Sequence, residues 1–413
     1  VKYKSRKDPS LAKIILVLVA LLCAAFGVYR VTRWFGSGGS VGRVEASAQA
    51  NIESARELLA NGQTTEARKL LAPIADKSKD GTLAGSALML MAQLEMEEGK
   101  REAARSHLER AMKEFPANPE QPRAAAAFAR LIEEDGKFDE AVQIYEDIRA
   151  NAPAQYRAPA LTGLGRHAER SGDLVQARDL FQEAVASAAW DSEEWNEALD
   201  ALGAANVALI FSPMQTPDSK TYTVGSGDTL TSIGIKLNTT QGLLMRANNL
   251  EAESTLRVGQ TIKWTPKDFR IVIERTTRRL FLLDSDGVFK RYSTGLGMPG
   301  YETTLGKYKI GNKIQDPTWH KPGAGPIPPG DPANELGTRW MPFVPEQEGL
   351  PTDLGIHGAI DPSTVGKYSS HGCARLQMDE VEELYDLVVR STPAEVVETI
   401  DPEVINRLAI AQS

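Results

Sequence analysis

The sequence predicts a multidomain protein. It reads as an N-terminal transmembrane helix, an all-α array of helical-hairpin repeats, a small β-α-α-β domain and a mainly-β C-terminal domain. Three observations predict this order. An unbroken apolar run from Ile14 to Tyr29 follows a cluster of basic residues. A glycine recurs at Gly62, Gly99, Gly136 and Gly172 within a helix-forming stretch. Beyond Phe269 the hydrophobic pattern changes from helical spacing to the alternation of strands.

The bulk properties set limits. A chain of 413 residues has room for two to four domains. Its 42% hydrophobic and 25% charged content is that of ordinary globular protein. The net charge of −8, with no long basic stripe, argues against a nucleic-acid partner. The two cysteines are Cys23, inside the apolar run, and Cys373, near the far end. A disulfide between them would join a membrane segment to a distal domain. Cys373 therefore reads as a free thiol, and two readings stay open: a reactive group or an inert buried cysteine.

Lys2, Lys4, Arg6, Lys7 and Lys13 precede the apolar run. This basic flank favours an N-in orientation, with residues 1–35 as a cytoplasmic tail and uncleaved anchor. A cleaved signal peptide is the alternative. The composition of 36–43, GSGGSVG at its core, is that of a flexible linker.

Residues 44–211 are rich in Ala, Leu, Glu and Arg, with apolar residues spaced by three and four. The four glycines recur at intervals of 37, 37 and 36. Ala67, Ala104, Ala141 and Ala177 follow them by five residues, and Leu71, Leu108, Tyr145 and Phe181 come four further on. Glycine ends one helix, the small alanine allows close helix approach, and the larger residue packs between helices. The pattern resembles the tetratricopeptide family, with a longer period. That implies either a concave surface for partners, such as cell-wall assembly proteins, or a spacer. His107 and His167 have no metal-ligand neighbours in sequence and read as ordinary helix residues.

Residues 212–220, with two prolines and no periodicity, read as a linker. Residues 221–265 follow. A short strand precedes Gly227-Asp228-Thr229-Leu230, where Asp228 or Thr229 caps a helix. Two short helices and a closing strand complete the unit. Val224, Gly227 to Leu230, Ile233, Asn248 and Gly259-Gln260 make it resemble the LysM family, with Gly234 where that family usually carries Ala. The resemblance implies a module that binds peptidoglycan glycan strands.

From 269 to 400 the segments FRIVIER, RRLFLLD and VFKRYSTG alternate as strands. A long irregular Pro- and Gly-rich stretch spans 315–351, the composition of a substrate-binding or lid element. His357-Gly358 and Ser370-His371-Gly372-Cys373 then fall within one short span. A thiol of ordinary pKa, about 8.5, is a weak nucleophile at neutral pH. A neighbouring imidazole can take its proton, and flanking glycines allow close backbone approach. Metal binding by His357, His371 and Cys373 is a competing reading, as is a structural role.

His357-Gly358 and Ser370 to Cys373 with Arg375-Leu376 resemble the L,D-transpeptidase catalytic domain. Thr304 to Tyr308, with Leu305 for the usual Pro, Asp316 to Trp319, Pro328 to Pro332 and Asn334 to Gly337 extend the likeness. The resemblance implies Cys373 as nucleophile and His357 as general base, oriented by the Gly358 carbonyl. His371 and Ser370 would support the site, and Gly372 and Cys373 would supply oxyanion N–H groups. Arg375 would hold the loop or meet a substrate carboxylate. No metal or organic cofactor is implied. The substrates implied are peptidoglycan stem peptides, at the periplasmic or cell-wall side of a bacterial inner membrane. Residues 401–413 read as a tail.

Overall fold

The computed structural model describes residues 40–402, apart from 79, 321, 322 and 324. The predicted transmembrane helix and most of the C-terminal tail lie outside the described residues. Among the described residues no helix is long and apolar enough to cross a membrane. The chain divides into two compact units, one up to Lys137 and one from Phe138 onward.

Among the described residues the first unit holds five helices: α1 (Ser40–Ala60), α2 (Thr64–Lys77), α3 (Gly81–Glu97), α4 (Arg101–Glu114) and α5 (Gln121–Glu134). The first begins at Ser40, inside the segment read as a linker at 36–43, so the helical array starts earlier than composition suggested. The recurring glycines act as the spacing predicts. Gly62, Gly99, Gly136 and Gly172 have φ between +70° and +82°, a left-handed turn that ends each helix. The turn closes with the next amide reaching back, as Gln63 N–H does to the Leu58 carbonyl (2.8 Å) and Lys100 N–H to Glu95 (2.7 Å). Ala67, Leu71, Ala104 and Leu108 are buried in one core.

The second unit opens with α6 (Phe138–Asn151), α7 (Ala158–Arg170), α8 (Leu174–Ser187) and α9 (Glu193–Ile210). Tyr145 and Phe181 are fully buried, each over a glycine of α7. A Cβ at Gly163 would stand 2.4 Å from the Tyr145 ring, and one at Gly165 would stand 2.3 Å from Phe181. His107 and His167 are half-buried helix residues, and burial lowers the His107 pKa.

The β-α-α-β domain follows as β1 (Lys220–Thr223), α10 (Leu230–Leu237), α11 (Gln241–Arg246) and β2 (Thr261–Trp264). Thr229 caps α10 through Ser232 N–H (3.1 Å). Asp228 instead accepts from Gly225 N–H and the Tyr222 hydroxyl, both at 2.7 Å. Asn248 pins the closing strand, accepting from Lys263 N–H (2.6 Å) and donating to its carbonyl (2.8 Å).

The segment 212–220 is anchored rather than free. Lys263 Nζ donates to the carbonyls of Leu209 (2.8 Å) and Ser212 (2.7 Å), and Asp218 lies between Arg178 (3.3 Å) and Lys267 (3.4 Å). Charges remote in sequence make these contacts, so composition alone read a tether.

The C-terminal domain comprises β3 (Arg270–Glu274), β4 (Arg279–Asp284), β5 (Gly287–Ser293), β6 (Leu296–Gly297), β7 (Gly306–Ile310), β8 (Ile314–Gln315), β9 (Trp319–His320), β10 (Pro326–Ile327), β11 (Arg339–Pro345), β12 (Gly355–Gly358), β13 (Tyr368–Ser370), β14 (Ala374–Leu376), α12 (Met378–Leu387) and β15 (Pro393–Val397). The main sheet runs β14-β12-β11-β7-β15-β3-β4-β5, with β8 added against β11. Its core gathers Ile271, Leu282, Tyr308, Phe343, Ile356 and Leu376. Helix α9 lies on β5, where Asn206 donates to the Phe289 carbonyl (2.9 Å) and Arg291 meets Asp200 (2.6 Å).

One expectation fails here. The stretch 315–351 is not irregular throughout, since β11 within it is a central strand. Pro342 and Pro345 hid it, because proline usually argues against a central strand. The ladder survives because the Pro342 carbonyl accepts from Gly311 N–H and Phe343 N–H donates to Leu354, both at 2.8 Å.

Candidate active site

The predicted site residues come from two neighbouring strands. β12 and β14 pair in parallel with His357 opposite Arg375, so Cys373 stands two residues before the cross-strand partner of His357. The turn into β14 is shaped by Gly372, whose φ of +113° few other residues adopt. Ser370 is buried and closes that turn. Its hydroxyl donates to the Cys373 carbonyl (2.6 Å) and accepts from Gly372 N–H (3.2 Å). The Gly372 amide is thereby turned toward Ser370.

His357 is only 3% exposed. Its Nδ1 lies 3.0 Å from the Gly358 carbonyl oxygen. With the proton on Nδ1, this bond leaves Nε2 as the basic nitrogen. Gly358 can play this part because it has no side chain, as a Cβ there would stand 2.6 Å from the Met378 sulfur. Trp340 packs beside the imidazole, with ring centroids 6.0 Å apart. Burial, reinforced by the Arg375 charge, pushes the imidazole pKa down to about 4.

Cys373 is half-buried, and its sulfur lies 3.8 Å from the Asp353 carbonyl. Burial pushes the thiol up to about 11, while the Gly355 amide works in the opposite direction. Burial thus disfavours both charged forms, the thiolate and the imidazolium.

His371 is exposed and sits edge-on to Tyr301, with centroids 4.8 Å apart. It is not brought against His357 in any hydrogen bond. Arg375 donates to Glu335 (2.8 Å), while its buried Nε–H has no acceptor. The exposed His320 lies in β9, paired with β10. Among the described residues no group of three His, Cys, Asp or Glu side chains could hold a metal ion.

Sequence reasoning quoted Asn334 and Glu335 without giving them work. Asn334 is buried and donates to the carbonyls of Pro317 (2.8 Å), Pro328 (3.1 Å) and Ile327 (3.3 Å). It thereby fixes the loop whose next residue, Glu335, binds Arg375 by its carboxylate and faces His357 with its backbone. An asparagine amid prolines and glycines was the available signal.

A thiol immediately ahead of one strand and a buried, oriented imidazole on its parallel neighbour make a candidate thiol-dependent acyl-transfer site. The L,D-transpeptidase catalytic domain family matches residues 268–396, the LysM domain family 222–265 and a tetratricopeptide repeat-like domain family 12–204. A Bacillus subtilis protein named L,D-transpeptidase YqjB is 31% identical over 124 residues, 30% of this chain and 68% of that one. A Bacillus licheniformis protein named L,D-transpeptidase YkuD is 28% identical over 177 residues, 41% of this chain and 94% of that one. Among solved structures, the NMR structure of the catalytic domain from E. faecium L,D-transpeptidase aligns at 22% identity. It covers 31% of this chain and 96% of that one, with a TM-score of 0.26. This chain belongs to the L,D-transpeptidase family, and it carries LysM and tetratricopeptide-like regions ahead of its catalytic domain.

Proposed function

We propose that this chain is a membrane-anchored peptidoglycan L,D-transpeptidase that forms 3→3 cross-links through a thioester on Cys373. The observation that carries the reading is His357, buried, bonded to the Gly358 carbonyl and one strand away from Cys373. The Cys373 sulfur attacks the amide carbonyl between the third and fourth residues of a tetrapeptide stem. His357 Nε2 takes the thiol proton and gives it to the departing amine of the terminal D-amino acid. The Cys373 amide steadies the oxyanion, a donor of a kind worth roughly 3–4 kcal/mol. A side-chain amine of a second stem then attacks the thioester, and the thiol regains its proton. Burial disfavours both charged forms, which favours loss of the proton from sulfur as the carbon–sulfur bond forms.

The apolar run at 14–29 supports an inner-membrane anchor with the folded domains on the periplasmic side. Retention in membranes after an alkaline carbonate wash tests this, and release would overturn it. Catalysis is tested by incubating the full chain with disaccharide-tetrapeptide and weighing the products. Cross-linked dimers are expected, lost in Cys373→Ala together with the acyl-enzyme mass. Tripeptide as the sole product would make the protein an L,D-carboxypeptidase instead.

A further inference from the structure

We propose that the seam between the LysM domain and the catalytic domain is a binding site for the carboxylate-bearing stem peptides of a glycan strand, so that one strand is held by both domains at once. The inference rests on the peptidoglycan reading above and names where that polymer lies.

The seam is a real groove. It has a volume of about 750 Å³ and is walled by α10 and α11 on one side and by β8, β11 and the end of α12 on the other. A second hollow of about 350 Å³ runs into it, the two sharing Asn238, Thr239, Val389 and Arg390. Together they suit an extended ligand rather than a compact one.

Its walls are fixed to each other. The Thr240 hydroxyl donates to the Asp386 carbonyl, and Arg246 pairs with the Asp386 carboxylate at 3.5 Å. α11 comes so close that a Cβ on Gly242 would lie 2.1 Å from Asp386 Oδ1. The bound geometry is therefore largely built before any ligand arrives, which reduces the ordering cost of binding.

The chemistry of the lining is one-sided. Asp386 is already matched by Arg246, and Glu382, below the groove, is matched by Arg339 at 3.7 Å. One cation remains without a carboxylate: Arg390 is exposed and has no ion-pair partner among the described residues. Lys313 Nζ donates to the carbonyls of Tyr385 and Val388 and lies in the field of Asp386. Arg339 also keeps a buried Nε–H with no acceptor. Facing them, Ile235 is 79% exposed, an apolar surface on a helix of the LysM domain. An exposed, unpaired arginine in a basic groove, opposite an exposed aliphatic side chain, selects an extended ligand with apolar faces and carboxylates. A sugar chain carrying peptide stems has both.

Binding is measured with the full chain in a Cys373→Ala background, so that turnover does not consume the ligand. The probes are soluble glycan strands bearing stem peptides and the same strands stripped of stems by an amidase. Stem-bearing strands are expected to bind at least tenfold more tightly (an advantage lost in Arg390→Glu and kept in Arg390→Lys). Equal binding of the two strands, or an unchanged preference in Arg390→Glu, would overturn the proposal. Thermal unfolding reports whether Arg390→Glu folds as the parent does. Should it not, Ile235→Asp carries the same test from the opposite wall. Acylation of Cys373 is not read in this assay, so failure here and failure of the transpeptidase reading are told apart.

Discussion

The helical repeats and the catalytic sheet both depend on glycine, for opposite reasons. In the repeats Gly62, Gly99, Gly136 and Gly172 adopt left-handed φ with nothing within 4 Å of a would-be Cβ. They are needed for backbone conformation alone. In the catalytic sheet Gly355 and Gly358 have ordinary strand conformations but no space. A Cβ on Gly355 would lie 2.6 Å from both the Met341 carbonyl oxygen and the Trp340 ring. The difference teaches how each region stores its specificity. The four turn glycines specify a turn that any neighbour can follow, whereas Gly355 and Gly358, like Gly163 and Gly165 inside the helical array, specify a close approach to particular neighbours.

Gly355→Ala should break the contrast most severely. Its methyl collides with backbone, which does not move cheaply, so a loss of about 3 kcal/mol in stability is expected. It also moves the Gly355 amide away from the Cys373 sulfur, and acylation by a carbapenem-type probe should slow by about 100-fold. Unfolding by denaturant and stopped-flow acylation measure the two effects, and an unchanged acylation rate would detach Gly355 from the nucleophile.

His357→Gln sharpens the electrostatic side of the comparison. The folded imidazole pKa of about 4 lies below the ordinary value of 6.5. As pH falls through that window the unfolded chain takes up a proton that the folded one refuses. Stability present above pH 6.5 is therefore lost toward pH 4, by about 3 kcal/mol. The variant should lose this part of the acid dependence, as read from denaturant midpoints across pH. In the parent, acylation should hold level through neutral pH and decline only toward about pH 4, where His357 can no longer accept a proton. A tenfold rise per pH unit through neutrality would show that hydroxide, not His357, removes the thiol proton.

Asn334→Ala removes a buried amide that satisfies three carbonyls, at a cost of about 2 kcal/mol. Freed from it, the Glu335 loop should release Arg375 and His357, lowering the acylation rate about tenfold. The loss should appear in the rate of the chemical step more than in probe affinity. The smallest effect is expected from Gly136→Ala. It places a Cβ on a left-handed residue in open space, costing about 1 kcal/mol, with acylation unchanged.

The repeats were legible because their contacts are local. A Gly, then Ala five residues on, then a larger side chain four further, states both the turn and the packing, and Tyr145 and Phe181 are buried where that register puts them. The strands β3 to β5 and the capped helix α10 were legible for the same reason. β11 was not, since two prolines mask a strand whose hydrogen bonds fall on the residues around them. The segment 212–220 gave no sign that Asp218 and the neighbouring carbonyls would find Lys267 and Lys263.

By itself the sequence singled out the side chains proposed to carry the chemistry, Cys373 and His357, because thiol and imidazole reactivity belongs to the residue type. Only the tertiary structure decided what surrounds them. It set the Gly372 amide against Ser370 and Arg375 against Glu335, and its burial pushes the thiol pKa up and the imidazole pKa down. It also placed the LysM domain against α12 rather than on a free tether. Burial and cross-strand hydrogen bonds are set by residues far apart in the chain, so neither spacing nor composition records them.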